Sequence, residues 1–157
     1  MIKNILIYPD DKNILTQKSE EITTINEEIK NLAQDLIDTL ESTKTGVGIS
    51  AVQIGVPKRI CAIQDNNNQY IIMINPYITK RHGKLFYNEG CLSAPHTTKK
   101  VLRNQKVQCT YIDLKGNKKN ITRGGLASII IQHELDHFEG WCEVFDNVKT
   151  KGIEEDK

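Results

Sequence analysis

Leu126-Ala127-Ser128-Ile129-Ile130-Ile131-Gln132-His133-Glu134-Leu135-Asp136-His137, near the end of a 157-residue chain, joins an apolar run to a His-Glu-x-x-His motif. The apolar run predicts a helix, and on a helix two imidazoles four residues apart project side by side from one face. At roughly 100° of turn per residue, Leu126, Ile130, His133 and His137 share one stripe, so the histidines continue the face the helix buries. Glu134 falls to the flank of that stripe. There it is badly placed to be a third ligand to the same ion and well placed to reach a water beside it, where a general base belongs. Two histidines alone are better explained as core residues of an ordinary helix. The in-register Glu moves the reading towards half of a metal site.

The length predicts one domain, residues 1–157, large enough to bury a core without disulfide or metal staples. A net charge of +1 gives no electrostatic case for direct nucleic-acid binding or for an anionic membrane surface. Lys99-Lys100 and Lys115 to Lys119 read as solvated loop faces. The start, Met1-Ile2-Lys3-Asn4-Ile5-Leu6-Ile7-Tyr8-Pro9-Asp10, lacks the long apolar segment and small-residue cleavage site of a signal peptide. No apolar run approaches the roughly 18 residues of a membrane span, so a soluble, cytoplasmic protein is expected. Cys61, Cys91, Cys109 and Cys142 lie far apart, form no Cys-x-x-Cys pair and read as reduced thiols.

Along the chain, Ile5 to Tyr8 predicts a short strand or an extended arm. Ile25, Ile29, Leu32, Ala33, Leu36, Ile37 and Leu40 recur at helical steps, with Thr24-Ile25-Asn26-Glu27 as a capping box and Gly46 as the stop. Arg59 to Gln64 and Gln69 to Asn75 predict a hairpin across Asp65-Asn66-Asn67-Asn68, closed by Asn75-Pro76. Val101 to Ile112 predicts one strand, turned by Asp113-Leu114-Lys115-Gly116-Asn117 towards another over Lys118 to Thr122. Gly124-Gly125 launches the His-bearing helix, and the charged tail from Val148 is expected to fray. The sum is an α+β fold, with short antiparallel β-sheets packed around a central helix bearing the motif and one further, N-terminal amphipathic helix.

A catalytic divalent metal usually takes three protein ligands and keeps a position for water. Glu143 is one candidate for the third place, because His133-x-x-x-His137-x-x-Gly140-x-x-Glu143 echoes an extended zinc-protease motif with a carboxylate for its final His. Those proteases also need a downstream methionine turn, and Met1 and Met73 both lie upstream. Cys91, within Glu89-Gly90-Cys91-Leu92-Ser93-Ala94-Pro95, is the other candidate. A lone Cys is usually a small buried hydrophobe, but a loop ended by proline can aim a thiolate at a metal and leave backbone N–H groups free. In Gly46-Val47-Gly48-Ile49-Ser50-Ala51-Val52-Gln53, glycine permits close approach of something to the backbone, and Gln53, if buried, must find partners.

These three stretches, Gly46 to Gln53, Glu89 to Ser93 and Gln132 to His137, stand in the order and approximate spacing of the three motifs of the peptide deformylases. The resemblance runs from Ile5-Leu6-x-x-Pro9-Asp10 to about Asp146. It implies one divalent metal ion held by Cys91, His133 and His137, with Fe²⁺ the native ion of many members and Zn²⁺, Ni²⁺ or Co²⁺ found in purified protein. It implies that Glu134 takes a proton from water and passes it to the departing amine. The Gln53 side-chain amide and the Leu92 backbone N–H would stabilise the oxyanion. The substrate would be an N-formyl-methionyl nascent polypeptide, paired as an added strand along Gly48 and its neighbours, with Ile49, Glu89 and Gly90 also at the binding site. Val47, Tyr87, Leu126, Ile129 and Ile130 match the pocket for the methionine side chain. Arg103 and Asp136 would form a charged pair fixing the loop after Cys91 against the helix.

The chain also departs from the family pattern. Ser50 stands where Ala is usual, and Tyr87 is bulkier than the usual aliphatic residue. Only a short charged segment follows Asp146, whereas many bacterial members continue into a basic helix implicated in ribosome docking, so ribosome association by that route is left open. Two other classes stay in view. One is a metallopeptidase using Glu143; the other is a non-catalytic domain with a structural metal. Structural sites usually close with four ligands, and no second Cys or His is expected near these motifs, His82 and His96 reading as loop residues.

Overall fold

In the computed structural model of the chain, which describes residues 1–145, the fold is α+β, with antiparallel sheets and three helices. Ile60-Cys61-Ala62-Ile63 is an unbroken apolar run, the mark of a strand covered on both faces. It forms β2 (Ile60–Gln64), paired with β1 (Gly48–Ser50) and β3 (Tyr70–His82). With β6 (Lys106–Ile112) and β7 (Lys118–Gly124) these strands make a five-stranded sheet in the order β1-β2-β3-β6-β7. The β4 (Leu85–Cys91) and β5 (Ala94–Arg103) strands form a separate two-stranded sheet.

Alternate residues of β2 enter different cores, as the two-residue period of a strand requires. Ile60 and Ala62 join Ile29, Leu32 and Leu36 of α2 (Glu27–Ser42). Cys61 and Ile63 join Ile130, Ile131 and Phe138 of α3 (Leu126–Phe138). The sheet is therefore held between two helices, and α3 brings the motif against strands already fixed from the other face. The tail from Val148 lies outside the described residues.

Several local expectations change. The cap of α2 is Asn26, whose side chain accepts from the Ile29 N–H at 3.1 Å, so the helix starts three residues after Thr24. It ends at Ser42, with Lys44 left-handed at φ 63°, before Gly46 is reached. β3 does not close at Asn75-Pro76. Both residues fall where its register against β6 shifts, so proline breaks no ladder bond. The Asn75 amide instead holds the chain near Ile22, accepting from its N–H at 2.9 Å and donating to its carbonyl at 2.8 Å.

The single strand expected over Val101 to Ile112 is two strands in different sheets. Asn104, at the changeover, is clamped by α3: its N–H donates to Gln132 Oε1 at 2.9 Å, and its carbonyl accepts from Gln132 and Ser128 at 2.8 and 2.9 Å. The arm at Ile5 to Tyr8 is extended without being a strand. Its Leu6 and Tyr8 N–H groups donate to the Gln53 and Ser93 carbonyls, each at 2.8 Å, tying two of the three motifs together. A one-turn helix not foreseen, α1 (Lys12–Leu15), comes after it. Among the described residues, no helix is long and apolar enough to cross a membrane.

Candidate functional site

Gly125, at φ 61°, turns the chain into α3. One turn apart on that helix, the His133 and His137 rings stand edge to face, with their Nε2 atoms 3.3 Å apart. Cys91 ends β4, where a tight connection to β5 leaves its Sγ 3.4 Å from His137 Nε2. Metal–nitrogen bonds of about 2.05 Å and a metal–sulfur bond of about 2.3 Å, arranged tetrahedrally, give edges of roughly 3.3 Å and 3.5 Å. The two edges that meet at His137 Nε2 thus have the spacing of ligands to one transition-metal ion, and all three donor atoms lie within 4.8 Å of one another. His137 Nδ1 is buried and has no hydrogen-bond partner, so the polar contacts of that ring are all at Nε2. The residues present fit a divalent metal.

The neighbours prepare the same atoms. Glu89 Oε1 lies 2.8 Å from His133 Nδ1, which favours the proton there and turns the Nε2 lone pair to the centre. Glu89 is itself held by Arg103 through two bonds of 2.6 and 2.9 Å, and Arg103 reaches Asp136 at 2.7 Å. Arg103 therefore pairs with Asp136, and it also anchors the carboxylate that orients His133. Burial pushes Glu89 up, but Arg103 and His133 outweigh it and leave the carboxyl at about 2. Burial disfavours charge on His133, yet the Glu89 bond and the Glu134 charge raise it to about 9. Burial and the positive charges of His133 and Arg103 hold His137 well below its ordinary value, so it is neutral. A cation at the centre competes with the proton on His133 and needs no proton removed from His137.

A fourth donor joins them. Cys91, His133, His137 and Cys142 offer ligand atoms all within 4.8 Å of one another. The expectation that no second Cys sits near the motifs is overturned. Helical spacing cannot place Cys142, because α3 has already ended: Gly140, at φ 79°, reverses the chain and returns it past the histidines. A Cβ at residue 140 would collide with the Thr16 carbonyl, so the turn needs glycine. The hydrogen bond from Cys91 lowers Cys142 from the ordinary thiol value against the effect of burial, and the same bond together with burial raises Cys91. Glu143, the rival third ligand, is not in the cluster.

Glu134 is 3% exposed, and burial lifts its carboxyl to about 7 against the opposing pull of His133 and the Ser50 hydroxyl. Ser50 Oγ lies 3.0 Å from the Glu134 carbonyl and 3.1 Å from Oε1. The other oxygen, Oε2, faces Gly48, where a Cβ would come within 2.5 Å of it. The close approach that glycine permits here is thus that of the carboxylate itself. Gln53 is buried in a 3₁₀ turn (Ala51–Ile54); its Oε1 accepts from the Ser50 N–H at 2.9 Å, and its Nε2 is 3.1 Å from Ser93 Oγ and 3.6 Å from Cys91 Sγ.

Cys91 and His133, with Glu134, line a cleft of about 470 Å³, while His137 is fully buried behind them. The cleft lining includes Val47 and Gly48 at the start of β1, Tyr87, Glu89, Gly90, Cys91 and Leu92 from β4 and the turn after it, Leu126, Ile129, Ile130, His133 and Glu134 from α3, and Gln53. Ile49 does not line it, its side chain being fully buried in the α2 core. Glu89 borders the cleft but commits both oxygens to Arg103 and His133. His96, read as a loop residue, is on β5 and lines the rim. Cys142 does not line the cleft and is 1% exposed. It approaches the centre away from the side open to solvent and substrate.

Thiol and imidazole donors meeting beside a buried carboxyl poised near neutrality are the equipment of a metal-dependent hydrolase. Comparison narrows the class. Residues 2–152 match the family described as polypeptide deformylase. The peptide deformylase of Nitrosococcus oceani is 36% identical over 156 residues, covering 97% of this chain and 92% of that protein. That of Aquifex aeolicus is 38% identical over 145 residues, covering 89% and 84%. Among solved structures, a peptide deformylase from Legionella pneumophila matches with a TM-score of 0.86 at 33% identity, over 94% of this chain and 88% of that one. One from Synechococcus elongatus, in complex with actinonin, matches with a TM-score of 0.84 at 29% identity, over 94% and 79%. The chain belongs to the polypeptide deformylase family.

Proposed function

We propose that this chain works as a deformylase through Cys91, His133 and His137 as ligands of one divalent ion and Glu134 as the group that moves the proton. The reaction is removal of the formyl group from the N-terminal formyl-methionine of a polypeptide, with release of formate. The observation that carries the residue assignment is the convergence of two imidazoles and a thiol within 4.8 Å of one another beside a buried carboxyl, with Cys91, His133 and Glu134 lining one cleft. When bound, the ion supplies Lewis acidity, easing the deprotonation of water towards about pH 7 and polarising a carbonyl.

The residues supply the rest. Glu134 Oε1 is steadied by Ser50, leaving Oε2 to take the proton of the attacking water and return it to the departing amine. A carboxyl near 7 suits both halves of that exchange, a role typically worth about 10²–10⁴ in rate. Gln53 Nε2 and the Leu92 N–H donate to the oxyanion, and loss of one such donor typically costs about 10²–10³.

The cleft runs between β1, an edge strand of the larger sheet, and β4, which pairs only with β5 among the described residues. Backbone groups on those edges, Gly48 and Gly90 among them, suit an extended peptide added as a strand. Val47, Tyr87, Leu126, Ile129 and Ile130 receive the methionine side chain. Such apolar discrimination is worth about 1–3 kcal/mol per methylene-sized difference, so methionine is preferred without being exclusive.

Fe²⁺ is the native ion in this reading. Zn²⁺ binds the same donors more tightly and replaces it during purification, as Ni²⁺ and Co²⁺ also do. The family match over residues 2–152 supports a single domain. The place of work is where formylated chains are made, the cytoplasm or its equivalent in an organelle or an infected bacterial cell.

Protein loaded anaerobically with Fe²⁺ is expected to release formate from a formyl-Met peptide, while Glu134→Ala binds the ion and releases none. Formate from both proteins at equal rates would remove Glu134 from its role. Cleavage of internal peptide bonds instead would favour a metallopeptidase.

A further inference from the structure

Cys142 has no part in the reaction as described, yet it is a second sulfur at the metal centre. All four cysteines are free thiols, and they differ in setting. Cys61 and Cys109 sit on β2 and β6 within the core beneath α3, among apolar neighbours. Cys91 ends a strand at a tight turn and lines the cleft, while Cys142 lies beyond the end of α3, outside any helix or strand. Both belong to the apolar cluster of Leu15, Val144 and Phe145.

The two differ in access as well as in place. Cys91 is half-buried and faces the cleft, so a small oxidant that enters meets it first. Cys142 stands behind it, almost unexposed, with its Sγ within 4.8 Å of Cys91 Sγ. A disulfide needs the sulfurs at about 2.05 Å, hence a closure of under about 3 Å. Rotation about the Cα–Cβ bonds of the two cysteines is the movement available for that closure. An accessible thiol backed by a shielded one is the arrangement of a peroxide-sensing pair.

We propose that Cys142 is the resolving thiol of a redox switch built into the metal centre: a peroxide oxidises Cys91, and Cys142 then closes a Cys91–Cys142 disulfide that deprives the ion of a ligand. In the first step the Cys91 sulfur, a thiolate while it serves as ligand, attacks one peroxide oxygen and the O–O bond breaks. The products are a sulfenic acid at Cys91 and one water. In the second step the Cys142 sulfur attacks the Cys91 sulfur, the S–O bond breaks and the hydroxyl leaves as a second water. Two thiols lose two electrons and two protons, and one hydrogen peroxide becomes two waters. The disulfide rests on the two sulfurs alone; its coupling to metal release rests also on Cys91 being a ligand. The consequence is protective, because a disulfide is recoverable by thiol reductants whereas sulfinic and sulfonic acids at Cys91 are not.

The test uses the full chain in two forms, zinc-loaded and chelator-stripped. Zinc is chosen because it has no redox chemistry of its own. Each form is treated with hydrogen peroxide and monitored by intact mass, non-reducing peptide mapping and an indicator for released zinc. The stripped protein is expected to lose the mass of two hydrogen atoms, to yield one linked pair of Cys91 and Cys142 peptides, and to revert under a phosphine reductant. The zinc-loaded protein is expected to give the same link with release of its ion. Cys142→Ser is expected to form no link and to carry Cys91 on to the sulfinic acid. Cys142→Ala, which deletes only the sulfur from a buried apolar contact, serves where the serine variant misfolds. Sulfinic acid at Cys91 in the parent chain as fast as in the variants, or a link through Cys61 or Cys109, overturns the proposal. A normal link with zinc retained overturns only the coupling, and with it the assignment of Cys91 as ligand.

Discussion

The α2 and α3 helices cover opposite faces of the same strands, and they treat polar residues in opposite ways. On α2 the buried set is Ile29, Leu32, Ala33, Leu36, Thr39 and Leu40, a stripe at helical spacing with the charged residues turned outward. On α3, Ser128, Gln132, His133, Glu134 and His137 are buried along with the apolar residues. A buried polar group is costly unless bonded, and partners have been provided. Asn104 serves Ser128 and Gln132, Glu89 serves His133, and Ser50 serves Glu134. Only His137 Nδ1 is left without a partner on this helix. The α2 helix spends its burial on stability, while α3 gives up part of it to hold reactive groups out of water.

Breaking the polar side of α3 should cost activity and improve the fold. Glu134→Gln is expected to lower kcat by about 10²–10⁴ with metal content unchanged. The same change should raise stability in alkali. The folded-state value of Glu134 is raised from 4.5 to about 7, so the folded chain binds the extra proton and its stability falls as pH rises between those values. Denaturant melts of metal-free protein above pH 7 should show the Gln variant more stable, by on the order of 3 kcal/mol. Equal stability at all pH values would mean that the carboxylate is better solvated than its burial implies.

The converse change is Leu36→Ala on α2, where the side chain is fully buried. It should cost about 2–5 kcal/mol of stability and leave kcat/KM nearly untouched where the chain stays folded. A large loss of kcat at temperatures well below the melt would blur the division between the helices.

Gly48→Ala should sharpen it. The new Cβ would meet Glu134 Oε2, so activity is expected to drop about 10²-fold, the scale of a 1 Å misplacement, while metal content and melting temperature change little. Ser50→Ala is the mildest. The hydroxyl bond lowers Glu134, so its removal should raise that value and move the acid limb of the pH–rate profile to higher pH, with less than a tenfold change at the optimum. A limb that moves to lower pH would contradict that bond.

Most of the scaffold was legible because it obeys one period. The α2 stripe, the unbroken run of β2 and the Asp65-Asn66-Asn67-Asn68 turn all state their environment locally. The misreadings came where a distant partner decides. Val101 to Ile112 reads as one strand, and the break at Asn104 is imposed by Gln132 from another element. Asn75-Pro76 reads as an end because proline cannot join a ladder, and the register shift that excuses it depends on β6.

In the site, the two histidines were legible only together with the in-register Glu134 between them. Cys91 needed the likeness to a family. Glu89 as the partner of His133 was hidden by its distance of 44 residues along the chain. Cys142 was hidden by a turn. Gly140, three residues after a helical histidine, was the available signal that the chain reverses there and carries Cys142 back to the face the histidines occupy.

The central claim is that Cys91, His133 and His137 hold one ion together, and titration of metal-free protein with Co²⁺ tests it most directly. The thiolate-to-cobalt absorption should rise to a plateau at one ion per chain in the parent protein and be lost in Cys91→Ala. An undiminished band in Cys91→Ala, or a plateau that ignores replacement of His133 and His137, would contradict it.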